Sequence, residues 1–342
     1  MRRWLLALGV IAVTASLAGC GSLLGGGGGS GTGGGGGTAG GQGNPASAAS
    51  PTARPAALYD VSSLRHPASG KFLGLEAPGL PGSLAPAGTF AANIGHKPNL
   101  IGQYVAWWHP FDVASVARAW SYGALTYLAW EPFKTSPRAI ADGKADSYVT
   151  QFAQTVRRLN LPVVLSFGHE MNGSWYPWGT RQTSPADFVA AWRHIHKLFA
   201  RAGARNVIWM WNPNIINPMP QVRLRPYFPG NAYVDWVGVT GYFPASGPQT
   251  YATLYRPTIA EIHAFTRKPL LIAETSVETG PAEVACINQL VDAVTQHSDI
   301  LGFIWFDYNK DGIDWRVESR PILRAALARD LSSVRLADLP GR

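Results

Sequence analysis

From about residue 71 the chain alternates between two apolar patterns. Short, nearly continuous apolar runs predict strands buried on both faces. They fall at Lys71–Leu75, Ile101–Trp107, Ala124–Trp130, Pro162–Gly168, Val207–Trp211, Trp236–Gly241, Pro269–Ala273 and Leu301–Phe306. Between them, apolar residues return every three or four positions, the spacing of a helix with one buried stripe. The clearest such stretches are Asp112–Tyr122, Asp146–Leu159, Pro185–Ala202, Tyr251–Thr266 and Ala282–His297. Ser184 followed by Pro185 is favourable chemistry for a helix start. Strands alternating with helices in this number predict an α/β fold of the (β/α)8 TIM barrel type. An open doubly wound sheet would show a glycine-rich first turn, and none is present.

The pattern before residue 59 is different. Met1-Arg2-Arg3 and the apolar run Trp4–Leu17 predict an export signal over 1–19, too short for a stable span. Leu17-Ala18-Gly19-Cys20 resembles the lipobox of bacterial lipoproteins, which implies cleavage before Cys20 and lipidation of that cysteine. Residues 20–58 are rich in Gly, then Ala, Pro and Ser, the composition of a flexible linker. The barrel domain is expected over 59–342. The chain is therefore expected to be exported, either anchored by lipid to the outer face of a bacterial membrane or released. The second cysteine, Cys286, reads as a small buried hydrophobe on a helix.

Charge and composition narrow the partners. The formal charge of +8 is spread along the chain without a Lys/Arg block, so no nucleic-acid partner is expected. Tryptophan is abundant, at 13 copies, and several lie near polar residues, as a surface for stacking sugar rings requires.

Acidic residues at the ends of apolar strands carry the candidate chemistry, because barrel active sites gather at the strands' C-terminal ends. Glu131, Glu170, Glu274 and Asp307 follow the third, fourth, seventh and eighth predicted strands. Glycoside hydrolysis uses two carboxyl groups across the scissile bond, one protonating the leaving oxygen and one attacking the anomeric carbon. Strands four and seven lie nearly opposite in an eight-stranded barrel, so Glu170 and Glu274 are the expected pair. Trp175 and Tyr176 would dry the acid and raise its pKa.

The stretch "GHEMNGSWYPWG" followed by "IAETS" resembles glycoside hydrolase family 26, whose members are mostly endo-β-mannanases. "DWVGVTGY" and "WFDYNKDGIDWRVES" resemble that family's sixth- and eighth-strand segments. The resemblance implies a retaining enzyme with Glu170 as acid/base and Glu274 as nucleophile. It implies sugar contacts from His169 and Trp175, a hydrogen bond from Tyr242 to the nucleophile, and an aromatic platform at Trp305. Trp130 and Glu131 are further substrate-binding candidates. Two features depart from the family pattern. Ser166 stands where many members carry arginine, and "TYLAWEPF" replaces the Ser-Trp-His pattern of mannan-specific members. Its Trp-Glu-Pro form is closer to members acting on mixed-linkage β-glucan.

The expectation is thus a monomeric endo-β-1,4-glycanase acting on a polysaccharide, β-mannan first and mixed-linkage β-1,3-1,4-glucan as the alternative. No cofactor and no metal are expected. A non-catalytic surface protein that captures polysaccharide is the alternative from another class. Asp307, Asn309, Asp311 and Glu318 match an EF-hand calcium loop in spacing, but the run is entered from a predicted strand and not a helix.

Overall fold

The computed structural model describes residues 57–67 and 69–340. The expected signal, Cys20 and nearly all of the linker lie outside the described residues. Eight parallel strands close into a barrel: β1 Phe72–Glu76, β2 Leu100–Ala106, β3 Leu125–Glu131, β4 Val163–Phe167, β5 Val207–Trp211, β6 Trp236–Thr240, β7 Leu270–Thr275 and β8 Ile300–Phe306. Each pairs with its neighbour in sequence, and β8 returns to β1 in the register Phe72↔Gly302 to Glu76↔Phe306. Every predicted strand is present, with ends moved by a residue or two.

Alternation along the strands divides the core in two. Inside the barrel, Phe72, Leu100, Leu125, Val164, Ile208, Trp236, Leu271 and Ile304 pack with Val61, Leu64 and Ala337 from the chain's two described ends. The short helix Ser62–Arg65 belongs to this floor, where its Arg65 carbonyl accepts from the Trp236 indole at 3.0 Å. The residues between, such as Leu128, Trp130, Leu165, Phe167, Trp209, Trp211, Phe303 and Trp305, belong to the larger cluster shared with the helices. With the floor plugged by apolar groups, polar side chains on the inward positions are confined to the opposite, C-terminal mouth.

The helices follow their local chemistry. Asp112 caps Val113–Tyr122 by accepting from the Ser115 N–H at 3.0 Å. Ser184 caps Pro185–Ala202 by accepting from the Asp187 N–H at 3.1 Å. The single helix expected over Tyr251–Thr266 is two, Tyr251–Leu254 and Arg256–His263. Pro257 explains the break, because it has no N–H to donate to the carbonyl four residues back. That carbonyl, of Thr253, accepts from the Asn217 side chain at 3.1 Å instead. Two further helices, Ala85–Ile94 and Pro321–Leu331, escaped the sequence reading, although each buries a stripe at helical spacing: Ala87, Phe90 and Ile94, and Leu323, Ala326, Leu327 and Leu331.

Candidate active site

Five acids stand at the barrel's C-terminal mouth. Glu76 ends β1, Glu131 ends β3, Glu170 follows β4, Glu274 lies in β7, and Asp307 follows β8. All five are buried. What separates them is the number of donors each receives.

Glu170 is held by its own turn and by the next strand. The chain leaves β4 through Gly168 and Glu170, both left-handed, at φ 58° and 55°. For a non-glycine residue that conformation costs on the order of 1–2 kcal/mol. The Glu170 N–H donates to the Asn212 carbonyl at 2.7 Å. Asn172 locks the same two loops together, donating to the Asn214 carbonyl at 2.9 Å and accepting from its N–H at 2.8 Å. The Glu170 carboxylate then accepts from Asn214 Nδ2 at 2.7 Å and Trp175 Nε1 at 2.6 Å. Trp175 reaches it by lying against Gly173, where an added Cβ would come within 2.3 Å of the indole. Burial pushes Glu170 up to about 7, against the pull of these two donors and of Lys310.

The other aromatics of the motif form a wall. Tyr176 and Trp178 stack with ring centroids 4.4 Å apart, and the Trp178 indole donates to the His169 carbonyl at 2.6 Å. His169 is packed against both rings and against Tyr104, with its Nε2 3.3 Å from the Tyr176 hydroxyl. Burial, aided by Lys310, drives its pKa down to about 3, so the imidazole is neutral. Its Nδ1 has no protein partner.

Glu274 accepts from two phenols, Tyr104 at 2.5 Å and Tyr242. Strand β7 is irregular on both sides of it, with register shifts against β6 and β8. Such irregularities re-aim a side chain, and here a carboxylate on an otherwise apolar strand meets hydroxyls from β2 and from the β6 loop. Burial and the charges of Glu76 and Glu170 push Glu274 up, while Tyr104 and Lys310 pull it back. That the charge of Glu170 raises Glu274 is what two carboxyls sharing one cleft must show.

Glu131 is 1% exposed, and neither of its oxygens has a protein partner. Burial pushes it up to about 8. Asp307 has a structural use: it accepts from the Val317 N–H at 2.7 Å, and its own N–H donates to the Glu76 carbonyl at 2.8 Å. The segment with calcium-loop spacing folds as a hairpin, Asn309–Lys310 paired with Ile313–Asp314, turning through left-handed Asp311 and Gly312. It is entered from β8, and Asp314 is bound by Arg316 at 2.8 Å. The hairpin carries Lys310 to the mouth, where its charge acts on Glu131, His169, Glu170 and Glu274.

Two expected sugar contacts are corrected by the alternation of side chains. Trp130 is fully buried and faces the helices, stacked on Phe152 at 4.3 Å, with its indole donating to Tyr148 at 3.1 Å. Trp305 is fully buried in the same outer layer. On β8 the inward neighbour at the mouth is Phe306, whose ring lies beside Tyr242 and Tyr308. Trp175 is also more than a stacking surface, since its N–H is spent on Glu170.

The model of Glycosyl hydrolase family 26 matches residues 135–306, just over half of the chain. The chain belongs to this family. It is 31% identical over 250 residues to Endoglucanase H of Acetivibrio thermocellus, a match covering 68% of this chain and 27% of that protein. It is 31% identical over 135 residues to Mannan endo-1,4-beta-mannosidase A and B of Caldalkalibacillus mannanilyticus, covering 37% of this chain and 24% of that protein. The chain thus spans about a quarter of the length of these relatives. In fold it is similar to the Bacillus subtilis mannanase BCman, with a TM-score of 0.58 at 19% identity, over 82% of this chain and 90% of that one.

Within this family-26 barrel the sequence reading missed Glu76, Tyr104, Asn212 and Asn214. Glu76 carries the same signal as the acids that were found: it closes the apolar run "FLGL". Asn212 and Asn214 follow the apolar strand "VIWMW" in the same way. Tyr104 gives no comparable signal, because an aromatic within a strand is ordinary core.

Proposed function

We propose that this chain is a retaining endo-β-1,4-glycanase in which Glu170 is the acid/base and Glu274 the nucleophile. The carrying observation is the unequal provision for the two carboxyls at one mouth. Glu274 is met by two phenolic donors suited to an anion. Glu170 sits in a dried pocket, poised near neutrality, as a group that must both give and take a proton requires. In the first step Glu170 gives its proton to the glycosidic oxygen while a Glu274 oxygen bonds to the anomeric carbon, releasing the leaving chain. In the second step Glu170 takes a proton from water, the water oxygen bonds to that carbon, and the bond to Glu274 breaks. A retaining pair has its carboxyls about 5–5.5 Å apart.

For the polymer, two observations favour a β-glucan over β-mannan, reversing the order expected from the sequence. The endoglucanase relative matches a longer part of the chain than the mannosidase relative does. The mouth also carries Glu131 from the Trp-Glu-Pro segment in place of the mannan-type pattern. With both oxygens unpartnered, Glu131 suits a pair of vicinal sugar hydroxyls. β-Mannan is the second reading.

Release of new reducing ends from barley β-glucan, glucomannan, mannan and xylan tests this. The expected result is turnover of barley β-glucan above mannan, and a loss of at least about 1000-fold in Glu170→Gln with polymer binding kept. Binding without cleavage of any polymer by the unaltered protein would favour a capture protein instead.

A further inference from the structure

A two-carboxylate reaction leaves Glu76 without a task. It is nonetheless built in with care. Glu76 is 0% exposed and ends β1 at the barrel mouth. Its side chain lies across β2 at Gly102, where any Cβ would fall 2.4 Å from Glu76 Cγ and Oε1. One of its oxygens has no protein partner, and the other meets only the Tyr104 hydroxyl, at 3.0 Å. The same hydroxyl lies 2.5 Å from Glu274.

A phenol has one proton and here two carboxyls to serve. We propose that Glu76 is a positioning residue for Glu274: it keeps its own proton and donates to the Tyr104 oxygen, which leaves the single Tyr104 proton for Glu274. The shorter of the two contacts is the one to Glu274, as this assignment requires. The donor count agrees. Glu274 receives two hydroxyls and Glu170 two N–H groups, so these two are fitted to carry charge. Glu76, with one shared partner and one oxygen without any, is not; burial raises Glu76 and Glu274 alike, so the donors make the difference.

The surroundings work in the same direction. Glu76 faces Glu131 from β3 and Glu170 from β4, whose charges both resist its ionisation. Tyr127 from β3 and Tyr308 beyond β8 are pushed up by a charged Glu76. Glu274 faces Glu170, Tyr104, Tyr242 and the Lys310 ammonium. The charge of Glu76 is itself a main cause raising Glu274, so a neutral Glu76 removes that push. Above the pKa of Glu76 the arrangement fails: a second anion appears beside Glu274, and the Tyr104 proton is contested.

This inference rests on Glu274 being the nucleophile, and its test separates the two. The first readout needs no turnover. In protein carrying ¹³C at the glutamate carboxyls, two resonances should titrate near pH 8, from Glu76 and Glu131; Glu76→Gln should remove one and Glu131→Gln the other. The second uses 2-deoxy-2-fluoro-β-glucosyl and β-mannosyl fluorides, whose leaving group needs no acid. The rate of covalent labelling is followed by intact mass as pH is varied. Glu76→Ala and Tyr104→Phe should each slow labelling about 10- to 100-fold at neutral pH. Glu76→Gln keeps a donor and cannot ionise, so it should recover most of that loss and abolish the fall in rate around pH 8. Variants are compared only where circular dichroism and melting match the unaltered protein. A Glu76 that titrates in the ordinary carboxylate range, or a Gln variant as slow as the Ala variant, overturns the inference. An unaltered protein that neither takes the label nor cuts any polymer overturns the catalytic reading, and the inference falls with it.

Discussion

Trp175→Phe isolates one hydrogen bond at the proposed acid/base. The substitution keeps an aromatic ring over Gly173 and removes the N–H that Glu170 accepts at 2.6 Å. That N–H stabilises the charged carboxylate, so its loss favours the protonated form and raises the pKa. A hydrogen bond to a charged group contributes about 1.5–3 kcal/mol, and one pKa unit corresponds to about 1.4 kcal/mol. The expected rise is therefore about one to two units from a value near 7, with the Asn214 donor left in place. The alkaline limb of kcat/KM reports loss of the general acid in the free enzyme. It should move to roughly pH 8–9, as a property of the Glu170–Glu274 pair and not of one group alone. Initial rates of reducing-end release from barley β-glucan between pH 4 and 10 give the measurement. Phenylalanine is smaller than tryptophan, so KM is free to rise as well, but a uniform loss of binding scales the profile without moving its limb. An alkaline limb that stays put, or moves to lower pH, would refute the assignment of Glu170 as the acid and of Trp175 as its donor.

Two further outcomes are expected. Glu131 is raised to about 8 in the folded chain against an ordinary 4.5, so the fold holds a proton that the unfolded chain has released. Stability from this group is fully present below about pH 4.5 and is lost as pH rises towards 8; the melting temperature should fall over that window, and Glu131→Gln should flatten the dependence. Trp130→Ala should cost about 3–5 kcal/mol of stability by emptying a packed site against Phe152. Measured below its lowered melting temperature, its KM should stay within about twofold of the unaltered protein, since the indole faces the helices; a large rise in KM at unchanged kcat would return Trp130 to the cleft.

The barrel was legible because its strands are buried on both faces and its helices on one, so period and length alone separate them. The acids were legible for a related reason: a carboxyl ending an apolar run has no place in a core. What that signal does not carry is direction. Trp130 and Trp305 precede the acids Glu131 and Asp307 by one and two residues, and their positions invited a subsite reading. Alternation turns both to the helices: Trp130 lies against Phe152 and Phe199, and Trp305 is fully buried in the same outer cluster. Glu274 shows the reverse: the register shifts that aim it inward depend on how β6, β7 and β8 pair, which no local pattern encodes. The division of labour among the acids is more remote still. Glu76, Glu131, Glu170 and Glu274 are equivalent as strand-end acids in sequence. They become different through Tyr104 on β2, Asn214 after β5 and Tyr242 after β6, each contributed by a strand other than the acid's own. Whether a buried carboxyl is built to hold a charge or to hold a proton is thus a property of its donors. Donors brought in across the barrel become readable only once the strands are closed.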